Sequence, residues 1–214
     1  HRLQAEFIRD QALAVSGLLV ERVGGPSVKP YQPPGLWKEV AFDVTGKALT
    51  AQIYEPDRGQ ALYRRSMYTF WKRTSPPPTM LIFDAPDRER CVVRREQTST
   101  PLQALVLMND PTYVEASRKL AERMMTEAGP TPSDRIAWGF RLATSRPPAE
   151  AELGSLLALL NEQAARFAAN TEAAQKLLDV GESSSDASLS TVKLAAYTVI
   201  ASVLMNLDET VTKG

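Results

Sequence analysis

With 214 residues the chain is long enough for one large or two small domains, and 43 % hydrophobic content fills a proper core, which excludes a disordered tail. Its 25 basic and 25 acidic residues cancel; phosphate binding needs a basic excess, so nucleic acid is not expected as a main partner, and nothing favours an anionic membrane surface. The single cysteine, Cys91, excludes an internal disulfide and a cysteine-rich metal cluster, and no apolar run approaches the roughly 18 residues that span a bilayer.

In chain order, residues 2–22 carry a helical pattern with Leu3, Phe7, Ala14 and Leu18 on one side, stopped by Gly24-Gly25-Pro26. Residues 26–37, with prolines at 26, 30, 33 and 34, read as an extended arm laid over a core. Alternation at Val40, Phe42 and Val44 allows a small hairpin within 39–54. Residues 61–74 read as a helix with Tyr63, Met67, Phe70 and Trp71 as its apolar stripe, ended by Pro76-Pro77-Pro78. Met80–Phe83 is then a strand or a buried extended piece, Asp84–Arg90 a charged turn, and Cys91-Val92-Val93 a second short apolar piece.

Helices are expected from there on. Thr100-Pro101 and Asp110-Pro111 each pair an N-cap residue with proline at the first helical position, and the second helix runs to Glu127 with a Glu115–Lys119 pair. Thr131-Pro132 or Ser133 starts a helix bearing Ile136, Phe140 and Ala143, and Arg146-Pro147-Pro148 makes a rigid corner. A stripe at Leu153, Leu156, Leu157 and Leu160 opens a helix running to about Val180. Residues 181–186 read as a linker or exposed loop, 190–205 as a last helix, and Asn206, Asp208 and Glu209 as a terminal turn. The fold class is therefore mainly α: one irregular helical domain over 1–214 with long Pro-rich loops, a helix, arm and charged loop in 1–111 and a bundle-like part in 112–214. The chain enters a helical pattern directly at His1 and reads as part of a longer polypeptide whose preceding portion holds any targeting signal.

The segment 61–111 concentrates the side chains able to carry specific chemistry. Seven of the chain's 17 arginines fall there, mixed with acids, aromatics and the cysteine. Gly-rich phosphate loops, the CxxCH haem attachment and HExxH are missing, so no cofactor is expected in this segment, and one histidine and one cysteine make a zinc site improbable. Asp84, Asp87 and Glu96, with Glu89, are the acid candidates, since paired carboxylates run glycoside hydrolysis and hold hard cations. Arg88, Arg94 and Arg95, with Arg90, argue first for an Arg–carboxylate network tying a loop onto helices, then for a groove taking an anionic or sugar ligand. Arg64 and Arg65 point about 100° apart on a helix, one over the aromatic stripe and one towards a carboxylate. Trp37 and Trp71 can stack on sugars; Trp71 reads first as core, while Trp37, in a loop, is evenly balanced. Cys91 reads as a small buried hydrophobe rather than a reactive thiol.

Three stretches carry a family resemblance: GGPSVKPYQPPGLW at 24–37, YRRSMYTFWKRTSPPPTMLIFDAPDRERCVVRREQTSTPLQALVLMNDP at 63–111, and Met205-Asn206-Leu207-Asp208-Glu209. Together they resemble the planctomycete-type DUF1553 domain, also called PSD1, over nearly the whole chain. Ser99 departs from the family's usual Thr-Asn-Thr-Pro-Leu-Gln-Ala, losing an amide. The resemblance implies a C-terminal module of a large exported bacterial protein, periplasmic or extracellular. It also implies upstream cytochrome-c-like and DUF1549 domains as partners, any haem c residing there, and a link to polysaccharide use. It brings no activity and no catalytic residue. Two functions follow as expectations: a structural or docking module that packs on those upstream domains, or a glycan-binding or glycan-hydrolysing domain with an acid and aromatic cleft around 61–111.

Overall fold

A computed structural model describes residues 1–39 and 53–212. The hairpin expected within 39–54 lies largely outside the described residues. Ten α-helices occur among the described residues: α1 (Ala5–Ser16), α2 (Leu36–Glu39), α3 (Pro78–Ile82), α4 (Pro101–Asn109), α5 (Pro111–Thr126), α6 (Pro132–Thr144), α7 (Glu150–Ala169), α8 (Thr171–Leu178), α9 (Thr191–Met205) and α10 (Asp208–Val211). The mainly helical class is as expected.

The organising element is α9. Leu194, Ala195, Ala196, Tyr197, Ile200, Ala201, Leu204 and Met205 are all buried, so it is enclosed on nearly every side. It packs most extensively on α5, then on α7 and α8, while α1 lies on the far side of α5. Small residues of both helices, Ala116 and Ala121 on α5 and Ala195 and Ala201 on α9, are buried in the common core with Tyr113, Leu120, Met124 and Ile200. Full burial of each large apolar side chain contributes about 1.5–3 kcal/mol.

The helix starts follow their capping chemistry. Thr100 accepts from the Gln103 amide, Asp110 from the Thr112 amide at 2.9 Å, and Thr131 forms a reciprocal capping box with Asp134. Asp110 also accepts from the Thr79 hydroxyl at 2.9 Å, tying the start of α5 to α3.

Several elements depart from the sequence-based expectation. α1 ends at Ser16, because Gly17 adopts φ 78° and the Gly17 and Leu18 amides turn back onto Ala14 and Leu13 in a Schellman arrangement. Its buried face is Ala5, Ile8, Arg9, Ala12, Leu13, Val15 and Ser16, so Phe7 and Ala14 of the expected stripe face outward. The expected helix over 61–74 is absent. Two 3₁₀ turns, Gly59–Tyr63 and Ser66–Tyr68, lead into extended chain that bridges Val28 through Thr69, and Met67 is exposed. Backbone bonds from Val28 to Tyr68 at 2.8 Å and from Phe70 to Val28 at 2.7 Å replace helical ones. The proline run does not end a helix there: Pro78 begins α3, which takes up Met80 to Ile82 of the stretch read as a strand or a buried extended piece, with Phe83 as its C-cap. The helix expected to run to Val180 breaks at Asn170, whose φ of −142° is non-helical and whose side chain caps α8 by accepting from the Ala173 amide at 3.0 Å. Cys91 is exposed, correcting the expected buried hydrophobe.

Candidate functional site

The loops around residues 22–26 and 62–66 are held by arginines donating to carbonyl oxygens. Arg9, buried on α1, donates to the Leu62 oxygen at 2.6 Å, the Arg64 oxygen at 2.9 Å and the Ser66 hydroxyl at 3.2 Å. Burial pulls its pKa below the ordinary arginine value, and nearby Tyr113, Asp10 and Asp110 partly offset this. Arg64 is 4 % exposed and donates to the Pro26 oxygen at 2.9 Å, the Arg22 oxygen at 3.1 Å and the Gly24 oxygen, while its guanidinium lies 3.8 Å from the Tyr68 ring centre. A planar fork with five donors suits this work. Arg65 pairs with Asp10 at 3.4 Å, so the two neighbouring arginines do diverge as expected, although not from a helix.

A second polar centre, not anticipated from the sequence, lies where the arm, a 3₁₀ turn, α5 and residues 181–186 meet. Glu115 is 1 % exposed. Its carboxylate accepts from the Tyr63 hydroxyl at 2.9 Å, the Tyr31 hydroxyl at 3.2 Å and the Ser183 amide at 2.6 Å. Arg118, fully buried, is its ion-pair partner at 3.8 Å and donates to the Ser183 carbonyl at 2.5 Å. The expected Glu115–Lys119 pair is therefore replaced: Lys119 turns to Glu122 at 2.7 Å. Residues 181–186 are not a free linker but a strap across this centre, and Gly181, at φ 90°, passes so close that a Cβ would sit 2.3 Å from Glu115 Cδ. Burial, reinforced by the Glu115 charge, pushes the Tyr31 hydroxyl up to about 12; burial and the bond to Glu115 raise Tyr63 as well. Both phenols are thus neutral donors to a carboxylate, an arrangement that holds segments together. The readable signal was Arg118, three residues after Glu115 on the same helix; choosing it over Lys119 required the strap.

The segment 61–111 divides differently from the expected Arg–carboxylate network. Trp37 is 5 % exposed, packed edge-on to Tyr54 at 5.0 Å and against Phe70 at 5.8 Å, with Lys72 Nζ 4.3 Å from its ring centre. It offers no open shelf for a sugar. Trp71, half-buried, donates its indole N–H to the Asp87 carbonyl at 3.0 Å, and Arg88 stacks on it at 4.3 Å. Asp84, at φ 60°, accepts from the Thr98 amide at 2.7 Å and from the Thr98 hydroxyl; the Asp87 carboxylate accepts from the Glu89 amide at 3.0 Å. Arg95 reaches outside the segment to Glu6 at 2.7 Å and Gln4 at 3.1 Å, while Arg94 and Glu96 are exposed. The acids thus fix loop turns and the arginines reach α1, carbonyls or an indole. Among the described residues no three His, Cys, Asp or Glu side chains converge as a metal site, and no helix is long and apolar enough to cross a membrane.

Two wider concave surfaces lie among the described residues. An apolar cleft of about 490 Å³ lies between the arm at Pro33-Pro34, Pro78 and Ile82 of α3, and Leu102, Leu105 and Val106 of α4. A wide open groove follows the outer face of α1, lined by Phe7, Ala14, Leu19, Val23, Arg65 and Leu142 among others.

Two of the three sequence stretches, 24–37 and 63–111, lie within the residues that a family model matches. The chain matches PSD1, a protein family of unknown function (DUF1553), over residues 1–160, and it belongs to that family. No curated protein and no solved structure matches the chain.

Proposed function

We propose that the chain is a docking module, structural rather than catalytic, within a large exported bacterial multidomain protein. Its partners are other domains of that polypeptide, of the cytochrome-c-like and DUF1549 types, with any haem residing there and polysaccharide use as the setting. The observation that carries this reading is the outer face of α4. Leu102, Leu105 and Met108, at i, i+3 and i+6, are 52, 51 and 46 % exposed beside the 490 Å³ apolar cleft, and Leu81 of α3 adds a fourth exposed apolar side chain. A well-capped helix with its apolar side turned outward marks an interaction surface. The competing glycan reading is weakened because Trp37 is enclosed and Asp84 and Asp87 are engaged in turns.

The test is cross-linking with mass spectrometry on the full-length polypeptide, alongside calorimetry of its unfolding. Docking predicts cross-links from this chain to the other domains and a shared unfolding transition. Independent transitions without cross-links, or saturable binding of a neutral or sulfated glycan, would overturn it.

A further inference from the structure

Independently of the docking reading, we infer that the junction between the arm and α1 binds one internal water molecule, held by Arg9, Gln32 and Thr69. A cavity of about 20 Å³ lies at this junction, lined by Arg9 of α1, Pro30 and Gln32 of the arm, Thr69, Met80 of α3 and Tyr113 of α5 among others. A single water needs roughly 10–15 Å³ for its centre and two to four polar partners. The walls are deep, with Arg9 3 %, Thr69 5 % and Tyr113 1 % exposed. Three of the lining residues carry a buried polar atom that finds no protein partner among the described residues: Arg9 Nε, Gln32 Oε1 and Thr69 Oγ1. Orphaned polar atoms are uncommon in a protein interior, and three on residues around one cavity point to a shared ligand.

The chemistry of those atoms selects the ligand. The Arg9 Nε–H only donates, the Gln32 oxygen only accepts, and the Thr69 hydroxyl does either. The ligand must therefore accept from one wall and donate to another. An anion such as chloride satisfies Arg9 but would press against the Gln32 oxygen, and the Asp110 carboxylate also lines the cavity. A metal cation would meet the Arg9 guanidinium, whose terminal nitrogens already donate to the Leu62 and Arg64 oxygens and the Ser66 hydroxyl. Asp110 is engaged as well, by the Thr79 hydroxyl and the Thr112 amide. A neutral molecule of one heavy atom, donor and acceptor at once, completes the set. Its place gives it a task. Gln32 follows Tyr31, whose hydroxyl donates to Glu115 at 3.2 Å, and precedes Pro33-Pro34 on the wall of the 490 Å³ cleft. Thr69 bridges Val28 at the start of the arm. The water ties α1 to the arm where no direct side-chain bond does, and so fixes one wall of the cleft.

A crystal structure of the protein, with a second crystal soaked in sodium bromide, tests this. The expected result is one water peak within about 2.7–3.2 Å of Arg9 Nε, Gln32 Oε1 and Thr69 Oγ1, with no bromide anomalous signal there. The peak should be lost in Gln32→Met with Thr69→Val, both close in shape to the parent residues, while Arg9 keeps its bonds to the Leu62 and Arg64 oxygens. A cavity without density, or one closed by direct bonds among the three side chains, overturns the site. A bromide peak overturns water in favour of an anion. A peak that persists in the double variant overturns the part given to Gln32 and Thr69. The parent crystals decide the site even where the double variant does not fold.

Discussion

Residues 101–205 close around α9 by apolar packing, with Ile200, Leu204, Leu120 and Met124 fully buried, whereas residues 17–39 and 53–99 are mostly loops and short turns, tied by Arg9 and Arg64 donating to backbone oxygens. The difference shows how a chain can display long irregular segments without letting them drift. Helices satisfy their own backbone, so they need only a greasy face; loops carry unsatisfied carbonyls, and buried guanidinium groups supply the missing donors. The cleft beside α4 joins the two kinds of structure, with Pro33-Pro34, Pro78 and Ile82 on one side and Leu102, Leu105 and Val106 of α4 on the other.

The largest expected effect comes from testing where the packed region ends. The family match stops at residue 160, in the middle of α7, yet α8 and α9 lie beyond it and α9 is the centre of the core. Truncation after residue 160 should abolish cooperative unfolding in calorimetry, since it bares the faces of α5 and α7 that α9 covers. Leu204→Ala, a milder version, should cost about 2–5 kcal/mol in urea denaturation. A truncated chain that still melts cooperatively would show that the first region supports itself.

Arg9→Met keeps the bulk and removes the donors. It should cost about 2–4 kcal/mol, because the Leu62 and Arg64 oxygens are left buried without partners. The comparison predicts a local signature: faster amide exchange at Val20, Val28 and Phe70, with α5 and α9 still protected. Uniform loss of protection would mean that the two regions are one cooperative unit. Gly181→Ala comes next. The φ of 90° and the 2.3 Å approach to Glu115 should cost about 1–3 kcal/mol and release the Ser183 amide to exchange.

The contrast also explains what was legible in the sequence. Caps and core stripes in the helical region are local signals, so Thr100, Asp110, Thr131, Phe140, Leu194 and Leu204 are readable one residue at a time. The loop region has no such local code. The apolar spacing of Tyr63, Met67, Phe70 and Trp71 mimics a helix, but partners far away in sequence, Arg9 and Val28, hold that stretch in turns and extended chain. The partner of Glu115 and the enclosure of Trp37 are not legible for the same reason, since the strap and the Tyr54–Phe70 box around them are formed by distant residues. The segment 61–111 stood out by composition, yet the tie points were Arg9, Glu6 and Tyr31, outside it.

Alkaline titration probes the junction between the two regions. Tyr31 is held neutral up to about 12, above the ordinary tyrosine value, first by burial and then by the Glu115 charge. A raised folded-state pKa gives stability that is complete below about pH 10 and is lost as pH rises towards 12. Tyrosinate absorbance should therefore appear together with release of the strap, and Tyr31→Phe should remove that part of the alkaline transition.

The smallest effect is expected at the exposed corner of the helical region, where Arg146 bridges Glu152 at 2.7 Å and Glu209 at 2.6 Å. The bonds from Arg146 and the Ala149 amide lower Glu152 to about 2. A depressed folded-state pKa gives stability that is complete above the ordinary glutamate value and disappears as pH falls towards 2, so Glu152→Gln should cost a little stability at neutral pH, converge with the parent as pH falls towards 2 and so flatten the acid limb of the stability curve. Because the fork is solvent-exposed, the difference should shrink further with added salt. An acid limb as steep in the variant as in the parent would place the acid sensitivity elsewhere.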